Sequence, residues 1–281
     1  MGNSILREFI IRSLEEDLGN GDHSSLACIP PEIKGKAKLL IKEKGILAGL
    51  RVAREIFAVT NQDLTIDQIL NDGDRIKAGD IAFYVSGPIQ TILKSERLVL
   101  NIMQRMSGIA TSTNEYTNQL NGLKTKILDT RKTTPGFRFL EKEAVRIGGG
   151  ENHRMGLYDM IMLKDNHIDY AGGIENAIKR TKEYLKINKL NLKVEIEARN
   201  LKDVKTIMAA GGVDRIMLDN FNIEDTLAAV NEISGKVETE SSGGITLETI
   251  RSYAECGVDY ISVGALTHQI KSIDMSLKAI E

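Results

Sequence analysis

From residue 126 onward the chain alternates six times between a short β-like segment and a helical stretch. The β-like segments are 126–129 (KILD), 159–163 (DMIML), 192–197 (LKVEIE), 214–218 (DRIML), 236–240 (KVETE) and 259–263 (DYISV). Helical patterning separates or follows them near 138–147, 174–187, 201–210, 223–233, 246–256 and 271–279. A crossover helix returns the chain to the same end of the sheet, so successive strands pair in parallel with helices outside. Gly-rich connections, and the absence of an early GxGxxG, favour a closed or nearly closed barrel over a Rossmann sheet. Six units fall short of the eight of a full (β/α)8 barrel. The expectation is an α/β protein with a six-stranded, incomplete α/β barrel.

The first hundred residues follow a different plan. Ser4 stands where it would cap a first helix with Ile5, Phe9, Ile10 and Leu14 on its apolar face, ended by Gly19. Residues 36–48 and 81–85 read as strands with a short helix near 51–59, and NDGDRIKAGD at 71–80 reads as tight turns. A long helix from about Thr91 to Leu120 carries Leu93, Val99, Leu100, Met103 and Met106 roughly on one side. The predicted division is an N-terminal α+β domain with this bridging helix over 1–110, the barrel over 111–270, and a C-terminal helix over 271–281.

Charge narrows the function classes. Lys+Arg at 37 against Asp+Glu at 39 leaves a net charge of -2, with no global attraction to nucleic acid or an anionic membrane. Any anion must therefore be held by a local basic cluster. The two cysteines, Cys28 and Cys256, match neither a metal spacing nor a disulfide framework, which points to a reducing cytoplasm. Arg7 and Arg12 interrupt the apolar residues of the N-terminus, so it lacks a signal-peptide core. Leu6 stands where a myristoylation motif wants Ser or Thr, and no apolar run approaches the ~20 residues of a membrane span. The expected protein is soluble and cytoplasmic.

In a βα barrel the chemistry comes from the C-terminal strand ends and the loops after them. After the first barrel strand stands Asp129-Thr130-Arg131-Lys132, and before the second Gly148-Gly149-Gly150-Glu151-Asn152-His153-Arg154. The second strand ends in Lys164-Asp165-Asn166-His167, the third at Glu195 and Glu197, and the fourth at Asp219-Asn220. The fifth ends in Glu240-Ser241-Ser242-Gly243-Gly244 and the sixth in Gly264-Ala265. Two units thus supply cations, two supply carboxylates and two supply small-residue turns. Arg131, Lys132, His153, Arg154 and Lys164 at one mouth would make a cationic pocket that is stable only with an anion in it. Glycine turns after the last two strands are where barrel enzymes hold a phosphate on backbone N–H groups. Glu197 and Asp219 on adjacent strands suit sugar hydroxyls or Mg²⁺, a hard cation that prefers oxygen. Together they imply a carboxylate substrate, a sugar-phosphate substrate and Mg²⁺.

Each residue alone has a plainer reading. An Arg-Lys pair is usually a solvated face, His153 or His167 usually a hydrogen-bonded surface residue, and SSGG a turn. Of Glu195 and Glu197, only one is expected to face the barrel interior. Agreement among six strand ends is what favours a site.

At DTRKTTPGFR, GGGENHRMGL, MLKDNHI, MLDNF, SSGGI and SVGALTH the sequence resembles the quinolinate phosphoribosyltransferases, also called nicotinate-nucleotide pyrophosphorylases. EDLGNGD at 16–22 and SERLVLNIMQRMSGIAT at 95–111 extend the resemblance over almost the whole chain. It implies an N-terminal α+β sandwich domain before the barrel, and dimers, or hexamers of dimers, whose sites the partner subunit completes. It further implies that Arg97 reaches into the partner's site, and that Arg131, His153, Arg154 and Lys164 line the quinolinate pocket. Lys132, with Thr130 beside it, would lie between quinolinate and phosphoribosyl pyrophosphate. Glu197 and Asp219, with Lys132 the implied catalytic set, would hold the ribose and, indirectly, the Mg²⁺-pyrophosphate. Ser242, Gly243, Gly244, Gly264 and Ala265 would cradle the 5-phosphate. Ser241 stands where Ala is usual in the EASGG motif, and one residue is inserted in AAGGVD. The implied product is nicotinate mononucleotide for NAD synthesis. The rivals are a nicotinate-using or molybdenum-transport-associated relative of the same fold, and a non-catalytic metabolite-binding barrel.

Overall fold

The structure is a computed structural model that describes residues 2–280, with side chains from Ser4 onward. Two compact units divide it. One holds the chain up to Ser112 together with the segment from Ile270, and the other is Thr113–Gln269.

The first unit opens with α1 (Gly2–Leu18), α2 (His23–Cys28), β1 (Lys34–Ile41), β2 (Gly45–Ile46) and α3 (Leu50–Thr60). Next come β3 (Thr65–Gln68), β4 (Arg75–Ile76), β5 (Ile81–Pro88) and α4 (Ile89–Gln119), a long helix that runs on into the second unit. Along β1 the alternate residues Ala37, Leu39 and Ile41 are buried, and β5 pairs with it antiparallel, Leu39 opposite Phe83. Phe83 meets Phe57 of α3 edge to face, ring centroids 6.0 Å apart. The helix α1 already begins at Gly2, so Ser4 lies inside it rather than at its cap. Its buried residues are Leu6, Ile10 and Leu14, spaced four apart, while Ile5 is 53% exposed. Val99, Leu100, Met103 and Met106 of α4 are buried as expected, whereas Leu93, expected beside them, is exposed.

The second unit runs β6 (Lys126–Leu128), α5 (Arg138–Ile147), β7 (Ile161–Leu163), α6 (Asp165–Ala171), α7 (Ile174–Ile187) and β8 (Val194–Ala198). It continues α8 (Leu201–Ala210), β9 (Arg215–Asp219), α9 (Ile223–Ile233), β10 (Glu238–Ser242), α10 (Ile250–Glu255), β11 (Tyr260–Ser262) and α11 (Ala265–His268). The six strands form one parallel sheet in the order β6-β11-β10-β9-β8-β7. On the free side of β6, Glu151 forms a parallel bridge to Leu128 and donates its N–H to the Ile127 carbonyl at 2.8 Å. A loop residue, not a closing strand, pairs there, and the barrel is incomplete. Asn200 and Asn222 cap α8 and α9 by accepting the Asp203 and Asp225 N–H groups.

The C-terminal segment corrects the sequence reading. Residues 271–281 were expected as a helix, yet Met275–Ile280 forms a strand, β12, antiparallel to β1 at the edge of the sheet order β12-β1-β5-β3. Ile273, Met275 and Leu277 are buried at every second residue, the two-residue period of a strand.

Candidate active site

The ends of all six barrel strands open onto one cavity of about 770 Å³. Thr130, Arg131 and Lys132 enter it from β6, His153 and Arg154 from the loop after α5, and Lys164 from β7. Glu197, Asp219 and Ser242–Gly244 enter from β8, β9 and β10, and Gly264 and Ala265 from β11. Met162 and Met217 add apolar surface suited to a flat ring. Arg97 is not among the residues that line this cavity. It is exposed on α4 in the first unit.

A buried clamp positions the cationic loops. The Asp129 carboxylate, fully buried, accepts from the Lys142 ammonium, from the His153 N–H at 2.9 Å and from the Asn152 amide at 2.5 Å. Lys142 also donates to the His153 carbonyl at 3.1 Å. The clamp therefore joins the strand end that carries Arg131 and Lys132 to the loop that carries His153 and Arg154. Burial pushes the Asp129 pKa up and that of Lys142 down, and the mutual attraction of the pair opposes both shifts. Burial, and then the charge of Arg131, push the Arg154 pKa down, as expected where cations crowd an anion site.

The carboxylates differ in their engagements. Glu197 forms an ion pair with Lys164 and accepts the Asp165 N–H at 3.2 Å, so both its oxygens are occupied. Lys164 donates its own N–H to His167 Nδ1 at 3.0 Å, which makes His167 a capping residue. Among the described residues, half-buried Asp219 accepts from Asn220 at 2.9 Å and from the Ser242 hydroxyl at 3.4 Å. It retains acceptor capacity toward the cavity. A Cβ on Gly264 would sit 3.0 Å from His268 Nε2 and 3.1 Å from Lys132 Cδ, so the backbone approaches closely there.

Below this mouth the barrel interior is charged. The expectation that only one of Glu195 and Glu197 faces inward fails, because residues two apart on a strand share a face. Glu195 is fully buried, with Oε2 3.0 Å from His153 Nε2. Glu240 Oε2 lies 3.4 Å from the same nitrogen and 3.0 Å from Arg215 Nη1. Arg215 also pairs with Glu238 at 3.1 Å and stacks 4.0 Å from the Tyr260 ring centroid.

Comparison with known proteins decides the family. Residues 109–278 match the C-terminal domain of quinolinate phosphoribosyl transferase, and residues 22–107 match its N-terminal domain. The chain belongs to the quinolinate phosphoribosyltransferase family. A mitochondrial quinolinate phosphoribosyltransferase [decarboxylating] of Nicotiana tabacum is 44% identical over 97% of this chain and 82% of its own length. A probable nicotinate-nucleotide pyrophosphorylase [carboxylating] of Bacillus subtilis is 41% identical over 99% of this chain and 94% of its own. The solved nicotinate-nucleotide pyrophosphorylase of Francisella tularensis superposes with a TM-score of 0.92 at 40% identity, covering 99% and 97% of the two chains.

Against this family background the residues that sequence reading left without a role are the interior ones: Glu240, Arg215, Lys142 and Asn152. The signal was in the strands, since Glu195, Arg215 and Glu240 stand at even spacings before Glu197, Asp219 and Ser242. His153, Glu195 and Glu240 also have metal-ligand spacing, their donor atoms within 4.8 Å of one another. They do not suit a metal, because His153 Nδ1 accepts the Arg154 N–H at 2.7 Å. With Nδ1 accepting, a ring proton sits on Nε2, the nitrogen whose lone pair a metal would need, and Arg215 already balances the carboxylates.

Burial favours the neutral His153 ring, yet hydrogen bonds and charge from Glu195 and Glu240 outweigh it and raise the pKa. The reverse attraction, of His153 for Glu195, favours the Glu195 carboxylate, but burial outweighs it. Burial, followed by the charge of Glu240, raises Glu195 from 4.5 to about 7. The unfolded chain releases that proton near pH 4.5 and the folded chain near 7. The associated stability is thus fully present below the lower value and lost as pH rises through the upper one. Glu195→Gln, which cannot ionise, should therefore lose less thermal stability than the parent between about pH 6 and about pH 8. Equal losses in thermal melts would show that Glu195 is already ionised at the lower pH.

Proposed function

We propose that the protein transfers the phosphoribosyl group of phosphoribosyl pyrophosphate to quinolinate, with decarboxylation. The pyridine nitrogen attacks C1 of the ribose and pyrophosphate leaves. The bond from C2 to its carboxylate then breaks, CO2 departs, and the electron pair left on C2, stabilised by the adjacent positive pyridinium nitrogen, takes up a proton. The products are nicotinate mononucleotide, pyrophosphate and CO2. Family membership supports the reaction. The single structural observation that carries the reading is a division of charge among the strands that line one cavity, with Arg131 and Lys164 after the end strands β6 and β7, Arg154 on the loop between them in sequence, and Asp219 with the Ser242–Gly244 turn after the central strands β9 and β10.

In this reading Arg131 and Arg154 pair with the two quinolinate carboxylates, and the ring lies on Met162 and Met217. Planar guanidinium forks suit carboxylates. Lys132 offsets the repulsion between the two anionic substrates and so aligns them for attack. Lys164, held by Glu197, joins the acceptor side to the ribose side. Asp219 faces the oxocarbenium-like charge that develops on the ribose. Ser242, Gly243, Gly244, Gly264 and Ala265 receive the 5-phosphate.

Mg²⁺ fits this site through Asp219, whose carboxylate has no ion-pair partner among the described residues, better than through Glu197, whose charge is already paired with Lys164. Bound with the pyrophosphate, it would neutralise the leaving group. An intracellular, reducing compartment suits two cysteines that remain free thiols. The assay is direct: quinolinate, phosphoribosyl pyrophosphate and Mg²⁺ should give nicotinate mononucleotide and CO2. Folded protein that makes neither product would overturn the reaction.

The reading includes a dimer whose sites are completed by Arg97 of the partner. Its support is the SER motif together with the exposure of Arg97 on the first unit. Arg97→Ala and Lys132→Ala proteins should each be inactive alone. Mixed and exchanged, they should regain activity, because some heterodimer sites then hold both residues intact. No recovery, with exchange confirmed by mass, would mean that each chain uses its own Arg97.

A further inference from the structure

Asn220 follows Asp219 directly and lies outside the set of residues assigned above. Its backbone φ is +57°, in the left-handed region that disfavours most side chains but tolerates Asn. Its N–H donates to the Ser242 carbonyl at 2.8 Å, extending the β9–β10 ladder one step past the Asp219–Ser242 pair. Its side-chain amide donates to Asp219 Oδ2 at 2.9 Å. An ionised carboxylate only accepts, so Nδ2 faces Asp219 and Oδ1 faces the other way. There Oδ1 lies over Gly243, where a Cβ would collide with it. Gly243 itself has φ +99°, so the turn and Asn220 fit only because this position is glycine.

We infer that Asn220 is a positioning residue that fixes the Asp219 carboxylate and the Ser242–Gly244 turn as one rigid unit. One side chain touches both the group that faces the ribose and the turn that receives the 5-phosphate. Without it, the half-buried Asp219 side chain is free to rotate, since its other contact, to the Ser242 hydroxyl, is long at 3.4 Å. This inference rests on the reading that Asp219 and this turn serve the phosphoribosyl donor.

Asn220→Gly and Asn220→Asp separate positioning from turn formation. Both residues accept the left-handed backbone, so a residue that only makes the turn would be replaced at no cost. Gly removes both side-chain contacts. Asp keeps the shape over Gly243 but turns a donor into an acceptor aimed at Asp219. Both variants should raise KM for phosphoribosyl pyrophosphate about tenfold, Asp more than Gly, as expected for a lost hydrogen bond to a charged group. KM for quinolinate should stay within about twofold, and thermal stability of the Gly variant close to the parent. Unchanged donor KM in both Asn220 variants, alongside a raised donor KM in Asp219→Asn, would overturn the inference and leave the donor reading standing. Unchanged donor KM in Asp219→Asn would overturn the donor reading, and the inference with it.

Discussion

Lys142→Met should destabilise the barrel unit by about 3–5 kcal/mol, the range for stripping one partner from a buried ion pair. Lys142 and Asp129 are at most 1% exposed, so the remaining carboxylate has no water to turn to. It keeps the His153 N–H and the Asn152 amide, which limits the loss without replacing the charge. The protein that stays folded should also be impaired, since this clamp sets the distance between the loops carrying Arg131 and Arg154. Adding Asp129→Leu to Lys142→Met removes the orphaned charge and should recover part of the stability but little activity. Urea unfolding and kcat/KM, measured on both variants, check this. A single variant as stable as the parent would mean that the pair contributes nothing net.

How much of this was legible in the sequence depends on how far each feature is local. The helices α5, α7, α8 and α9 span the residues expected of them, because a 3.6-residue apolar period is carried within each segment, with Asn200 and Asn222 capping the last two. The cavity residues were legible for a related reason, since strand ends in a parallel barrel share one face. Lys142 was not. In LEKEAVR it reads as one more solvated helical charge, and the partners that make its burial tolerable, Asp129 and the His153 carbonyl, lie 13 residues before it and 11 after. The interior charges were hidden likewise, because Glu195, Arg215 and Glu240 sit on separate strands and neutralise one another only once the sheet is assembled. The misjudged C-terminal segment is a different failure. The alternation of Ile273, Met275 and Leu277 was present, but the preceding strand–helix rhythm favoured a helix.

The second large effect is expected at Arg154. Replacement by Ala should raise KM for quinolinate roughly ten- to a hundredfold, the worth of a charge-assisted hydrogen bond. KM for phosphoribosyl pyrophosphate should move far less, the reverse of the pattern for Asp219→Asn. Arg154 is half-buried, its guanidinium anchored at 3.2 Å to the Met160 carbonyl, so it is held in place rather than free to follow a ligand. Nicotinate gives a second readout from the same variant. It carries one carboxylate instead of two, so in the parent protein it leaves a cation of the pocket unpaired, which rejects it strongly. Removing Arg154 takes away a cation that only the dicarboxylate satisfies. Discrimination between quinolinate and nicotinate should therefore narrow as quinolinate binding weakens. If Arg154→Ala weakened both acids equally, Arg154 would contact the carboxylate they share. If it weakened the donor instead, the division of the cavity into acceptor and donor sides would be wrong.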